Sequence, residues 1–374
     1  MQTSWEKEAW QFIQQKTEQN NSRIGAQFPH ATDGTHYQCE APQWWTAGFW
    51  PGILWTVYRE TNDAALKETA QACEREMDPL LSDVERIDHD AGFMWTLTSV
   101  ANYKLTHNEA SRRRALLAAS LLMARFNPQG NFIRAWNEWA IRSDCRGVAI
   151  IDCLMNLPLL YWASEETGDP RFRMIAQRHA ETVLRCFIRS DGSARHIVVF
   201  DPETGEIADH LGGQGFSKES AWSRGCAWAV YGMALSYKYT KKLDFLDAAK
   251  RAAHFFTAHV NQGECPPWDF RLPDNPSLRY PDSSAGAIAA SGMLLLAKSV
   301  PDIEAPLYRR SAEALLKSIY ETCGTQNDTD NEGILLHGTG NYPEHRAIDV
   351  SLIYGDYFFV EAIAAVNGQE AEFF

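Results

Sequence analysis

Polar and aromatic residues cluster where apolar runs begin, and these clusters are where this sequence could do chemistry. They are Trp44-Trp45-Thr46, Asp88-His89-Asp90, Ile151-Asp152-Cys153, Trp222-Ser223-Arg224 with Trp228 one turn on, Asp282-Ser283-Ser284, and Asp356. An Asp or Ser ahead of a helix is most often an N-cap, whose oxygen accepts a backbone N–H. Asp152 differs, because it lies between Ala149-Ile150-Ile151 and Cys153-Leu154-Met155. A carboxylate flanked so heavily by apolar residues is costly unless it is partnered. Burial and a second carboxylate nearby both raise its pKa. A carboxyl group that keeps its proton near neutral pH is suited to general acid catalysis.

Arg224 sits in an apolar, aromatic stretch, so its charge needs an anion, either a neighbouring Asp or a bound carboxylate. His89 and His196 are candidate ligand contacts, with an equally ordinary reading as hydrogen-bonded structural residues. Two or three of the 13 Trp could stack on sugar rings while the others fill the core. No H-E-x-x-H, P-loop, G-x-S-x-G or zinc-type cysteine spacing occurs, so neither metal nor cofactor is expected. An Asp pair, aromatic platforms and an anion-binding Arg together suggest a carbohydrate-active enzyme of the two-carboxylate kind.

The elements that must position these residues follow from hydrophobic periodicity. Runs starting near 48, 91, 150, 223, 284 and 354 are apolar on nearly all faces, as in AGAIAASGMLLLAKSV from Ala285. Such helices are buried. Amphipathic runs follow them, as in DPRFRMIAQRHAETVLRCF from Asp169. These have the spacing of a helix with one wet face. Turn signals such as Thr61-Asn62-Asp63 and Thr167-Gly168-Asp169-Pro170 sit at the junctions, with Asp as cap and Pro in the first turn. Asn156 offers a second start for the third buried helix, with Leu157 and Pro158 in its first turn. The sixth buried helix has no amphipathic partner after it, and Trp5–Gln19 could supply one. The pattern predicts one all-α domain over 1–374, an (α/α)6 barrel in which six inner and six outer helices close head to tail. An open solenoid would have shorter, more uniform repeats. In the closed ring all inner-helix N-termini share one rim, so the clusters converge on one funnel. His196-Ile-Val-Val-Phe200 is the clearest short strand.

Composition excludes other classes. With 374 residues, 45% hydrophobic and 22% charged, the chain is ordinary globular protein. Its net charge of −13 argues against nucleic-acid binding, which needs clustered positive charge. The N-terminal segment has no apolar h-region, and the Ala285–Ala297 stretch is too short to span a bilayer, so no membrane association is expected. Eight scattered cysteines without a C-x-x-C pair read as free thiols in a reducing cytoplasm.

Over nearly the whole chain the sequence resembles the unsaturated glucuronyl hydrolases. The resemblance rests on Gly48-Phe-Trp-Pro-Gly-Ile-Leu-Trp55, His89-Asp90-x-Gly92-Phe93, Ile151-Asp-Cys-Leu-Met-Asn-Leu-Pro-Leu-Leu160, Trp222-Ser-Arg-Gly-Cys-Ala-Trp228, Trp268-Asp-Phe270 and Asp282-Ser-Ser-Ala285. It implies an (α/α)6 barrel and a substrate with a C4=C5 unsaturated uronic acid at the non-reducing end of a di- or oligosaccharide. By this resemblance Asp152 is the acid/base that protonates C4 and activates water for C5. Asp90 is the second essential carboxylate, which positions substrate and helps hold Asp152 protonated. His89, His196, Gln214, Arg224 and Trp228 match substrate-contacting positions, with Trp45 as a stacking wall. The sequence departs from the family pattern at Ala47, Asp88, Cys226 and Tyr354, none of them a central Asp. The alternatives are an unsaturated rhamnogalacturonyl hydrolase acting on pectin fragments, a sugar isomerase or epimerase on a helical toroid, and a non-catalytic sugar-binding module.

Overall fold

In the computed structural model, which describes residues 4–138, 144–369 and 372–374, helices with one wet face alternate with helices buried on every side. α1 (Trp5–Ile24) precedes the buried α2 (Phe49–Thr61) and the amphipathic α3 (Ala64–Glu76). The second buried helix comes as α4 (Ala91–Trp95) and α5 (Ala101–Thr106), joined by a π-helical turn over Thr96–Val100, with α6 (Glu109–Met123) after it. Buried and amphipathic helices then pair as α7 (Leu157–Thr167) with α8 (Pro170–Cys186), and α9 (Ser223–Thr240) with α10 (Leu243–His259). α11 (Ser283–Ala297), α12 (Ala305–Cys323) and the buried α13 (Ile353–Val366) complete the series.

The inner helices touch in the order α2, α4–α5, α7, α9, α11, α13 and back to α2, so the ring closes. α1 packs between α12 and α3 and closes the outer layer as well. The fold is therefore the expected all-α (α/α)6 toroid. Local chemistry sets its joints. Asp63, Asn108, Asp169 and Asp282 each cap the helix that follows through a side-chain oxygen. Four inner helices end on a left-handed residue, Asn62, His107, Gly168 and Lys241, which turns the chain outward. α11 is buried from Ser283 to Leu296. Each fully buried Leu, Ile or Met on it contributes roughly 1.5–3 kcal/mol. Small residues let these helices approach; a Cβ on Gly292 would lie 2.8 Å from Tyr231 Cα.

Short strands border the inner-helix N-termini. β1 (Phe28–Asp33) pairs with β2 (His36–Glu40), and β3 (Phe126–Asn127) with β4 (Phe132–Ile133). β5 (Val148–Ile150), β6 (Ile197–Phe200) and β7 (Ile207–Leu211) form an antiparallel three-stranded sheet in that order, and β8 (Gly338–Asn341) pairs with β9 (Arg346–Val350). Only β6 stood out in the sequence. The others are short and lack a sustained period-two pattern, so pairing rather than periodicity defines them.

Candidate active site

Two short segments carry the central carboxylates. Asp90 is the residue before α4, and the Asp88 side chain accepts its backbone N–H at 2.8 Å. His89 is tied down by its own N–H, which donates to the Ala135 carbonyl at 3.1 Å. Asp152 lies in a 3-10 turn, Ile151–Met155, between β5 and α7. The register Ile150↔Ile197 continues in the Ile151 N–H, which donates to the His196 carbonyl at 3.0 Å. Sheet pairing thus sets His196 beside Asp152, with Nε2 3.6 Å from Oδ2. The Gln214 N–H donates to His196 Nδ1 at 2.9 Å. The same nitrogen lies 3.3 Å from the Gly212 carbonyl, and Nε2 faces Asp152.

Burial sets the electrostatics. The Asp152 side chain is 13% exposed, so one edge opens to the funnel. Its pKa is pushed up to about 6, chiefly by burial, against the opposing pull of the Arg224 charge, its own backbone and the Trp228 indole. Asp152 Oδ2 and Trp228 Nε1 each lack a hydrogen-bond partner of ordinary geometry. Asp90 is driven well above the carboxylate range by burial first, then by repulsion from Asp88 and Asp152. Half-buried Asp88 is also raised by desolvation, with the Asp90 N–H and Arg125 opposing. Burial is thus the first cause of the raised pKa at both Asp152 and Asp90. Burial also keeps both histidines neutral: His196 falls to about 3, and His89 lies well below the usual imidazole value.

Arg224, in the first turn of α9, finds its anion within the protein. Its guanidinium donates to Asp282 Oδ2 at 2.9 Å, to the Thr339 and Gly340 carbonyls and to Gln214 Oε1. It also stacks over Trp222 and Tyr354, at 4.7 and 5.1 Å from the ring centroids. The bond to Gln214 Oε1 turns the Gln214 amide nitrogen away from the arginine. Trp228 is fully buried against Phe93 and Phe358, with its indole toward Asp152. Trp45, in a 3-10 turn over Trp45–Gly48, is partly exposed and packs on Tyr354 with centroids 4.8 Å apart. The structure therefore gathers Asp90, Asp152, His89, His196, Gln214, Arg224, Trp228 and Trp45 at one end of the ring. Asp356 and Asp282, two other rim acids, serve the scaffold: Asp356 accepts from Tyr37 Oη and the Ile334 and Leu335 N–H groups.

Sequence reasoning named Trp222 and Asn156 without giving either a role beside the carboxylates. The Trp222 ring lies tilted against His196 with centroids 4.4 Å apart, and His30, also without an expected role, meets Trp44 edge-on at 5.6 Å. Asn156 occupies the position before α7, as the alternative helix start expects, but its side chain caps nothing there. Instead it reaches Asp90, His89 and Phe93. Its setting in a run as apolar as that of Asp152 was the available signal. Among the described residues no group of three or more His, Cys, Asp or Glu has metal-binding geometry.

The profile of Glycosyl Hydrolase Family 88 matches residues 18–357. The chain is 37% identical over 351 residues to an unsaturated glucuronyl hydrolase of Bacillus sp. (strain GL1), covering 93% of each chain. It is 36% identical over 336 residues to an unsaturated chondroitin disaccharide hydrolase of Streptococcus pyogenes serotype M1, covering 89% of this chain and 84% of that one. The crystal structure of the Bacillus sp. GL1 enzyme, described as responsible for the degradation of glycosaminoglycan, superposes with a TM-score of 0.93 at 35% identity over 98% of both chains.

Proposed function

The chain belongs to glycosyl hydrolase family 88, and on that premise we propose that it hydrates the C4=C5 double bond of unsaturated glucuronyl di- or oligosaccharides, the products of glycosaminoglycan lyases. The observation that carries the reading is Asp152, an acid with a pKa of about 6 whose side chain is partly open at the rim while its buried Oδ2 lacks an ordinary hydrogen bond. A carboxyl group poised there can both give and take a proton near neutral pH.

The reaction needs that exchange. Asp152 donates its proton to C4, and the positive charge that develops is shared by C5 and the ring oxygen. Water adds to C5 and returns a proton to Asp152. The hemiketal opens by breaking its bond to the ring oxygen, giving a 5-keto group. The hemiacetal left at C1 then releases the next sugar and a 4-deoxy-5-keto uronate. No net proton is consumed, so a single acid/base suffices.

Asp90 positions the substrate beside this acid. Asp90 also borders Asp152 and Asp88, so the three acids do not all ionise together. Neutral His89 and His196 offer N–H groups without adding charge to the funnel. Arg224, whose charge is shared with Asp282, acts on the substrate through Gln214, whose amide it orients to donate. Trp45 gives a flat apolar face for a sugar ring. We read residues 1–374 as one catalytic barrel. The eight free cysteines suit a cytoplasmic location, and no helix among the described residues is long and apolar enough to cross a membrane.

The test is ultraviolet absorbance of a lyase-generated unsaturated chondroitin or hyaluronan disaccharide. Hydration destroys the conjugated C4=C5 carboxylate band. Loss of the band with wild type but not with Asp152→Asn supports the reading. Persistence there and loss with pectin-derived fragments would move the substrate to the rhamnogalacturonyl class. Persistence with both would refute hydration.

A further inference from the structure

We propose that Asn156 is a positioning residue of this reaction: the polarity of its amide fixes Asp90 and His89 against the segment that carries Asp152. The inference rests on the hydration reading above.

Asn156 is fully buried, so each of its polar atoms must find its partner inside the protein. Its Oδ1 accepts the Phe93 backbone N–H at 2.7 Å. A backbone N–H can only donate, so this bond fixes which end of the amide is oxygen. The Nδ2 group must then face the other way. It forks there, donating to Asp90 Oδ1 at 3.2 Å and lying 3.4 Å from His89 Nδ1. His89 Nδ1, met by a donor, is the acceptor nitrogen of the ring. Its proton is therefore on Nε2, which lies 3.5 Å from Asp90 Oδ1. One amide sets both the rotamer of Asp90 and the tautomer of His89.

The backbone makes the same connection. Asn156 follows Asp152 by four residues, and its own N–H donates to the Cys153 carbonyl at 3.0 Å. The first turn of α4 seats directly on it: a Cβ on Gly92 would lie 2.2 Å from Asn156 Cα. A shift of Asn156 therefore moves both carboxylate-bearing segments together. Helix capping does not account for the residue, because its side chain makes no capping bond to α7.

The charge of the surroundings requires a neutral donor at this place. Asp90 faces the carboxylates of Asp88 and Asp152 and the guanidinium of Arg125. His89 faces Arg125, His179 and His196. A further carboxylate here would add to a crowded cluster of acids and could not donate once ionised.

The experiment uses the full-length enzyme with the unsaturated disaccharide, comparing wild type, Asn156→Asp and Asn156→Leu for kcat, KM, pH profile and melting temperature. Asn156→Asp keeps the shape and the acceptor for Phe93. Loss of a hydrogen bond to a buried ionisable group should lower its kcat about ten- to hundredfold near pH 7.5, with KM within about threefold. Part of that loss should return toward pH 5, where the introduced acid regains a proton to donate. Asn156→Leu should lose activity at every pH. A wild-type kcat and profile in Asn156→Asp overturns the inference, as does a loss of the same factor at all pH values. Imidazole nitrogen shifts in the wild-type protein supply a test that no folding defect can obscure: a proton on His89 Nδ1 overturns it. If wild type leaves the double bond intact, the hydration reading falls and this inference with it. If wild type consumes the substrate and the variants match it, only this inference falls.

Discussion

Replacing Asp152 by Asn should abolish turnover and, at the same time, stabilise the folded protein at alkaline pH. Burial raises the native carboxyl from the ordinary 3.8 to about 6. In the unfolded chain the same group ionises near pH ~4. Below pH ~4 it is protonated in both states, and nothing is lost on folding. Between about 4 and 6 the unfolded chain releases its proton first, so native stability falls as pH rises. Above 6 both states are ionised and the full penalty applies. Two pH units at 1.36 kcal/mol each give about 3 kcal/mol. An amide cannot ionise and escapes this penalty. Removing the Asp152 charge also relieves Asp90, whose pKa it raises, so the second effect has the same sign. With an unfolding entropy of roughly 2.1 cal/mol/K per residue, about 3 kcal/mol in this chain corresponds to a rise of about 4 °C in Tm. Melting curves at pH 8 and pH 4.5, run beside the double-bond assay, decide it. The gain should be near 4 °C at pH 8 and shrink to about a third of that at pH 4.5, with no turnover at either pH. A lower Tm at pH 8, or an equal gain at both pH values, refutes the assignment of a costly, proton-holding carboxyl to Asp152.

The pH dependence of kcat/KM should show the same group. Protonated Asp152 is the reactive form, so the rate should fall about tenfold from pH 5 to pH 7; a flat profile would count against the general acid. Neither neighbouring histidine titrates in that window, because burial holds His196 at about 3 and His89 well below its usual value. Trp228→Phe keeps the ring but removes the indole that favours the Asp152 carboxylate, so the alkaline limb should move to higher pH; an unmoved limb would remove Trp228 from the role. Gly92→Ala drives a methyl group against Asn156 backbone atoms and should cost about 1–3 kcal/mol and most of the activity. Wild-type melting and turnover in that variant would show that the two segments are not rigidly seated.

The ring was legible because burial imposes period. α9 and α11 are apolar on every face, and α8 and α12 carry one wet stripe, so inner and outer layers could be told apart by composition. The junctions were legible because caps have local chemistry: Asp63 and Asp169 bond the second residue on, as their types predict. The funnel was legible only to the extent that it inherits the rim. What local sequence could not show is partnership at long range. Arg224 meets carbonyls 115 and 116 residues away, and Asn156 meets Asp90 across 66. Such contacts depend on the register of helices against one another, which no local periodicity encodes. The β5–β6 pairing that brings His196 to Asp152 is of the same kind.

The rim acids finally separate by what the surrounding backbone gives them. Asp269 accepts from the Phe216, Ala221 and Arg271 N–H groups and from the Ser220 hydroxyl. Asp282 takes Ser284 on one oxygen and Arg224 on the other. Asp356 is more deeply buried than Asp152, and burial raises its pKa to about 7, yet both of its oxygens are engaged. These acids staple loops to helices. Asp90 has one direct bond, from Asn156, and Asp152 Oδ2 has none. A fold under selection for stability alone would fill such vacancies or replace the acids, since unsatisfied buried polar groups are destabilising. Here Asp152 Oδ2 stays without an ordinary hydrogen bond, close enough to Asp90 to raise its pKa, where the six helix N-termini converge. Folding does not need it in that state, whereas moving a proton to carbon and back to water needs a carboxyl group with a raised pKa.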